Sequence, residues 1–148
     1  MRVIVDTNTL LSGLFFPGNE RDLLLLALQG KAHLILPEDG SDELFRVIEE
    51  AFLDSEVLAE ALRLLERLFR VVEPVGRETY RGLVSHWEAK LRDPSDAFLF
   101  ACAKAVDADG IVTGDRDILE VKDGEGIRLF RTRGLLDDLR RTSGRPRV

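Results

Sequence analysis

Short apolar runs alternate with amphipathic segments along this chain. Residues 2–5 contain a β-branched run without polar alternation, which is typical of a strand buried on both faces of a sheet. Similar runs at 33–36, 110–113 and 127–130 predict three more strands, and a weaker run at 70–72 predicts a fifth.

Between these runs, apolar residues recur at intervals of three and four positions, as they do on one face of a helix. The pattern predicts helices at residues 20–29, 44–51, 57–69, 77–91, 94–106 and 135–140. Strands that alternate with helices predict a parallel sheet, because parallel neighbours need crossover connections. We therefore expect an α/β fold in which helices flank a parallel sheet of about five strands.

Charge is unevenly distributed along the chain. The 148 residues are 45% hydrophobic and carry a formal net charge of −6, which favours a globular protein and disfavours a nucleic-acid binder that acts through an overall positive field. Residues 128–148 hold seven arginines against Asp137 and Asp138. We therefore expect one folded domain at residues 1–139 and a basic C-terminal tail at 140–148 that can contact a polyanion.

Cysteine usage and the lengths of the apolar runs indicate the cellular compartment of the protein. Cys102 is the only cysteine, so no intramolecular disulfide can form, and a reducing, cytoplasmic compartment is expected. Uncharged apolar runs such as residues 23–28 are far shorter than the roughly 20 residues that span a bilayer, so no membrane partner is expected. The apolar stretch after Met1 ends at Asp6, which is too early for a secretory signal.

Four carboxylates occupy places where an open α/β sheet binds ligands, namely Asp6, Glu43, Asp96 and Asp115. Asp6 and Asp115 each follow a predicted strand, so both should lie at the carboxyl edge of a parallel sheet. Carboxylates that lie side by side repel one another, and a hard divalent cation such as Mg²⁺ or Mn²⁺ is the simplest group that neutralises them. Such an ion lowers the pKa of bound water and stabilises charge on a phosphate, so the pattern indicates phosphodiester hydrolysis.

Several of these acidic residues also have structural interpretations that the sequence leaves open. Asp93 is placed to cap the helix that Pro94 begins, and Asp96 can stabilise the same helix end. Asp115 and Asp117 flank an arginine just after a strand and can belong to a polar turn.

Glu43 and Asp6 differ in how easily a structural interpretation explains them. Glu43 can be an ordinary solvated helix residue, as can its neighbour Asp42, which is spaced to form an i, i+4 ion pair with Arg46. Asp6 is harder to explain in this way, because a carboxylate that ends a buried strand is costly unless it is paired or solvated in a cleft.

Four acidic segments occur in an order that resembles the PIN domain family, and more narrowly its bacterial and archaeal VapC-type toxins. The resemblance extends over residues 1–139. The segments are Val5-Asp6-Thr7-Asn8, Asp42-Glu43-Leu44, Asp93-Pro94-Ser95-Asp96-Ala97-Phe98-Leu99 and Val112-Thr113-Gly114-Asp115-Arg116-Asp117-Ile118-Leu119.

The resemblance implies a three-layer α/β/α fold and a metal-dependent ribonuclease activity. It implies that Mg²⁺ or Mn²⁺ is held by four carboxylates, with one amide and two further carboxylates in support. The implied ligands are Asp6, Glu43, Asp96 and Asp115, and the implied supporting residues are Asn8, Asp93 and Asp117. It further implies an RNA substrate, an antitoxin partner if the protein is a toxin, and a homodimer.

The chain departs from the family pattern in two places. Asp39 and Gly40 stand where relatives usually carry helix-forming residues, which predicts that the helix presenting Glu43 begins late, with Ser41 as its N-cap. Ala97 stands where an acidic or amide residue is common, which removes one outer polar group from the implied site.

Single-stranded RNA hydrolysis is the main functional hypothesis, and two others stay open. Asp6-Thr7-Asn8-Thr9 approaches the DxDxT motif of aspartyl-phosphate phosphatases, although Asn8 stands where those enzymes need an acid. Alternatively, the acidic cleft serves a non-catalytic interaction module that accepts an arginine from a partner.

Overall fold

The computed structural model describes residues 1–51 and 54–143, and within these ranges five parallel strands form one sheet. The strands are β1 (Arg2–Val5), β2 (His33–Pro37), β3 (Glu73–Val75), β4 (Gly110–Val112) and β5 (Arg128–Phe130). They pair in the order β3-β2-β1-β4-β5, and every neighbouring pair is parallel. Strand β1 therefore lies at the centre of the sheet.

Eight α-helices and one 3₁₀ turn are found in the described part of the chain. They are α1 (Thr7–Phe15), α2 (Asn19–Leu28), α3 (Glu38–Glu50), α4 (Ser55–Leu68), α5 (Arg77–Lys90), the 3₁₀ turn Pro94–Asp96, α6 (Ala97–Ala105), α7 (Arg116–Leu119) and α8 (Thr132–Ser143). No helix within 1–51 or 54–143 combines the length and the apolar character needed to cross a bilayer.

Successive side chains of β1 build a core on each face of the sheet, because they point alternately to opposite sides. Val3 and Val5 pack in a cluster with residues of α1, α2, α4 and α8, whereas Ile4 packs with Trp87 of α5 and Phe100 of α6. Trp87 and Phe100 stack with ring centroids 4.9 Å apart. The three-layer α/β/α architecture with a five-stranded parallel sheet is confirmed.

The predicted strand at 70–72 is wrong, because these residues close the end of α4. The amides of Val71 and Val72 both donate to the carbonyl of Leu68, at 2.9 Å each. The strand begins directly after this turn as β3, which lies at the edge of the sheet. Pro74 is tolerated there because an edge strand has one side that needs no hydrogen-bond partner.

Helix α3 begins earlier than predicted. The expected late start with Ser41 as N-cap is wrong, since α3 begins at Glu38, immediately after β2. Arg77 donates to the side chains of Glu38 (2.5 Å) and Asp39 (2.9 Å), and the Tyr80 hydroxyl donates to Asp39 (2.5 Å). These contacts come from α5, more than 35 residues further along the chain, and they stabilise the first turn of α3.

The remaining helices differ from the predictions at their ends or in number. The helix predicted at 94–106 begins as the 3₁₀ turn and continues as α6, while α1 and α7 lack a predicted counterpart. Helix α8 is longer than the predicted 135–140, so the predicted boundary between residues 139 and 140 falls inside a helix. Residues 144–148 of the predicted tail lie outside the described residues.

Candidate active site

All four predicted carboxylates line one cleft at the carboxyl edge of the sheet. Asp6 directly follows β1, and Asp115 follows the neighbouring strand β4. Glu43 comes from α3, and Asp96 is the last residue of the 3₁₀ turn. The cleft has a volume of about 240 Å³ and is lined by Asp6, Asn8, Glu43, Arg46, Ser95, Asp96, Phe98 and Asp115.

Asp6 and Asp115 are each fixed at a junction between a strand and a helix. The Asp6 amide donates to the carbonyl of Val112 at 3.1 Å, which extends the pairing of β1 and β4 by one step. The Asp6 carbonyl then accepts from the amide of Leu10 (3.1 Å) as α1 begins. Asp115 caps α7, because its Oδ1 accepts from the amide of Asp117 at 2.8 Å.

The hydroxyl of Thr113 links these two acidic residues. Thr113 is fully buried, and its Oγ1 donates to Oδ2 of Asp6 at 2.7 Å while accepting from the amide of Asp115 at 3.0 Å. One side chain therefore sets the orientation of the Asp6 carboxylate and the path of the backbone at Asp115. Thr113 belongs to the last of the four acidic segments of the sequence, which by itself indicates no role for a threonine.

Burial and mutual repulsion raise the pKa values of two of the carboxyls. For Asp6, burial raises the pKa, and the charges of Glu43 and Asp115 add to that effect, while the hydrogen bond from Thr113 opposes it. For Asp96, burial and then the charges of Asp93, Asp115, Asp6 and Glu43 raise the pKa to about 7. Like charges are thus concentrated in one partly buried cleft, as is typical of functional sites.

The chemistry of the cleft fits a hard divalent cation. Its candidate donors are carboxylate oxygens and the amide oxygen of Asn8, which suit Mg²⁺ or Mn²⁺ and are poor ligands for soft metals. Among the described residues, no three His, Cys, Asp or Glu side chains are grouped closely enough to hold an ion as they stand. Coordination by Asp6, Glu43, Asp96 and Asp115 would therefore require their side chains to turn toward a common point.

The three predicted supporting residues occupy different positions. Asn8 is exposed and lines the cleft. Asp93 caps the 3₁₀ turn, accepting from the amide (3.0 Å) and hydroxyl (2.7 Å) of Ser95, and these bonds lower its pKa. Asp117 lies 3.6 Å from the guanidinium of Arg92. Asp93 and Asp117 are outside the set of residues that line the cleft.

A family profile described as the PIN domain matches residues 2–117, which include β1 to β4 and all four cleft carboxylates. The chain belongs to the PIN domain family. The match places the acidic cleft inside the region that defines the family, and the family assignment made from the sequence is confirmed.

Solved structures share the fold of this PIN domain although their sequence identity to it is low. A chain from the crystal structure of VapBC2 from Rickettsia felis, bound to a DNA fragment from their promoter, has 16% identity and a TM-score of 0.62, with coverage of 88% of this chain and 98% of that one. FitAcB from Neisseria gonorrhoeae has 18% identity and a TM-score of 0.59, and the match covers 89% of this chain and 98% of that one. FitAB bound to an IR36 DNA fragment has 17% identity and a TM-score of 0.57, and the match covers 89% of this chain and 95% of that one. No curated protein sequence matches the chain significantly.

Proposed function

We propose that this PIN domain is an endoribonuclease that uses Mg²⁺ or Mn²⁺ to hydrolyse phosphodiester bonds of single-stranded RNA. PIN domains are nucleases, and the chain belongs to that family. The observation that carries the proposal is the cleft, where Asp6, Glu43, Asp96 and Asp115 come together from four separate segments. Burial and like charge raise the pKa of Asp6 and of Asp96, so a bound cation would relieve a repulsion built into the fold.

Each residue of the cleft has a distinct task in this proposal. Asp6, Asp96 and Asp115 would hold the cation, and Glu43 would complete its shell or orient the attacking water. When bound, a divalent cation makes water easier to deprotonate and neutralises charge that develops on the phosphate. Thr113 keeps the Asp6 carboxylate in one orientation, so the other three carboxylates would turn toward it on binding.

A phosphatase mechanism fits this cleft less well. Such an enzyme needs an acid two residues after its nucleophile, and the chain has Asn8 there, whose amide has no suitable proton to give. Glu43 and Asp96 would also have no task in it. A non-catalytic module would use the same cleft to bind a partner's arginine, and cleavage by the isolated protein separates that function from an enzyme.

We further propose that the protein is the toxin of a toxin–antitoxin pair, acts in the cytoplasm and forms a homodimer. The similarity to VapC-type toxins supports an antitoxin partner, and the fold is shared with the VapBC2 and FitAB structures, both described with DNA fragments. Exposed apolar side chains on α3, on α4 and just after α4 support a protein contact. Phe45 and Phe69 lie 5.7 Å apart between ring centroids, and Leu62 is also exposed.

Metal-dependent cleavage of RNA tests the enzymatic proposal. Protein treated with EDTA should leave a labelled single-stranded RNA intact, and added Mg²⁺ or Mn²⁺ should restore cleavage. The same protein should release no phosphate from a phosphomonoester and should form no acyl-phosphate on Asp6. Trapped phosphate on Asp6 would favour the phosphatase, and binding of a partner without any cleavage would favour the interaction module.

A further inference from the structure

Arg46 brings a positive charge to the acidic cleft. It follows Glu43 by three positions on α3, so both side chains lie on the same side of the helix. Of the described residues that line the cleft, Arg46 alone is basic. It is exposed, so its guanidinium is accessible to a ligand that enters the cleft.

One acidic residue spaced to pair with Arg46, Asp42, is bound elsewhere. Asp42 lies four positions before Arg46, the spacing at which exposed ion pairs form on a helix. Oδ2 of Asp42 instead accepts a hydrogen bond from Nη2 of Arg77 on α5, at 2.8 Å. Within residues 1–51 and 54–143, the guanidinium of Arg46 makes no hydrogen bond or ion pair.

We infer that Arg46 binds a phosphate of the RNA backbone and holds it beside the four carboxylates, an inference that rests on the proposed nuclease function. Carboxylates repel a phosphodiester, so a substrate that enters this cleft gains from a fixed positive charge on its wall. A guanidinium offers two parallel N–H donors to phosphate oxygens, so it orients the phosphate as well as attracting it. Arg46 is thus a substrate-binding residue, and the contact of Asp42 with Arg77 removes one competing anion.

Steady-state cleavage of a single-stranded RNA oligonucleotide in Mg²⁺ tests this role with the variants Arg46→Ala and Arg46→Lys. Arg46→Ala should raise KM roughly 10- to 100-fold, the range expected for loss of a charge-assisted hydrogen bond, and should change kcat far less. Arg46→Lys should recover part of the loss, because it keeps the charge but not the planar fork. Arg63→Ala is the matched control, since Arg63 is exposed on α4 and lies outside the cleft.

Equilibrium binding provides a second readout that does not depend on turnover. In an Asp6→Asn background with Mg²⁺ present, the affinity for the same RNA is measured by fluorescence anisotropy at several salt concentrations. Arg46→Ala should reduce the logarithmic salt slope by about 0.7, the value for one phosphate contact on a single strand, and Arg63→Ala should leave it unchanged.

The outcomes separate this inference from the proposed function. Unchanged KM and salt slope in Arg46→Ala would overturn the role of Arg46 even if wild type cleaves RNA. Faster cleavage by Arg46→Ala would also overturn it, because Arg46 would then act against the cation at the carboxylates. If wild type fails to cleave RNA, the proposed function fails, and the binding slopes alone decide whether Arg46 contacts nucleic acid.

Discussion

The Thr113 hydroxyl links Asp6 to the backbone at Asp115, the two cleft residues that follow β1 and β4. It is fully buried and uses both of its hydrogen-bonding roles, donating to Asp6 and accepting from the amide of Asp115. Valine has nearly the same shape but neither donates nor accepts. Its introduction would leave a buried carboxylate oxygen and a backbone N–H without these partners, which is costly in a protein interior.

We therefore expect Thr113→Val to lower the free energy of unfolding by about 1–3 kcal/mol and to reduce RNA cleavage. Thr113→Ser keeps the hydroxyl and should retain most of both properties. Urea unfolding and a cleavage assay at the same pH measure the two effects. Equal stability and equal activity in the valine and serine variants would show that the hydroxyl has no part in the site.

At the scale of single residues, the sequence predicts the carboxylates of the cleft more readily than the residues that orient them. Asp6 is predictable because a carboxylate at the end of a buried strand costs free energy unless it is paired or bound. Thr113 is not, since a threonine at the end of a strand is an ordinary β-forming residue. The cap predicted for Asp93 is found in the fold, whereas no sequence signal indicates that Asp117 lies beside the exposed Arg92.

At the scale of elements, one carboxylate joins three neighbouring strands. Glu73 on β3 accepts from Arg2 on β1 at 2.7 Å and lies 3.1 Å from Nε2 of His33 on β2. Partial burial raises the pKa of Glu73, but the hydrogen bonds and charges of Arg2 and His33 outweigh it, and the net pKa is lowered. Ionised Glu73 therefore stabilises the folded sheet.

This lowered pKa predicts a pH dependence with a definite sign. Stability from ionised Glu73 is fully present above the ordinary carboxyl pKa of 4.5 and is lost as the pH falls through the lower value of the folded state. Glu73→Gln should therefore lower the free energy of unfolding by up to about 1 kcal/mol at pH 7, because the contact is partly exposed. Urea unfolding at pH 7 and pH 3 should show this difference shrinking in acid, and a constant difference would contradict the assignment.

Elements that depend on local sequence are predicted better than those that depend on distant contacts. Strands 2–5 and 33–36 and helix 77–91 are found nearly where their apolar patterns place them. The start of α3 is different, because its first turn is stabilised by Arg77 and Tyr80 from another helix. Such contacts leave no periodic signal in the segment that they stabilise.

At the scale of the whole molecule, the positive charge of the C-terminal segment is partly neutralised within the fold. Arg128 lies 3.3 Å from Asp138, and Arg141 pairs with the same carboxylate. Helix α8 ends at Ser143, so a truncation after Leu139 would cut a helix. A test of the predicted tail should therefore spare α8.

Deletion of residues 144–148 removes Arg145 and Arg147 and is expected to weaken RNA binding through lost phosphate contacts. Each contact contributes about 0.7 to the logarithmic salt slope, so two contacts would flatten the slope by roughly 1.4. The rate at saturating RNA should be retained. An unchanged slope would show that these arginines do not contact RNA.

Self-association is the second expectation at this scale. In α4, which corresponds to the helix predicted at 57–69, Leu65 is in the core and Leu62 is exposed. Phe69, which follows α4, is exposed too. Sedimentation at micromolar concentration should give a dimer for wild type and a larger monomer fraction for Leu62→Lys, because a charge on an apolar contact is costly to bury. A wild-type monomer would contradict the homodimer.

RNA cleavage by wild type and by Asp6→Asn, compared in Mg²⁺ with both proteins folded, tests most directly whether the acidic cleft is a metal-dependent nuclease site. Asparagine keeps the size of the side chain and an oxygen that can accept from Thr113, but it removes one of the charges that hold the cation. Its melting temperature should equal or exceed that of metal-free wild type, because like charges no longer repel. Folded Asp6→Asn should lose cleavage by about 100-fold or more. Wild-type cleavage by folded Asp6→Asn would contradict it.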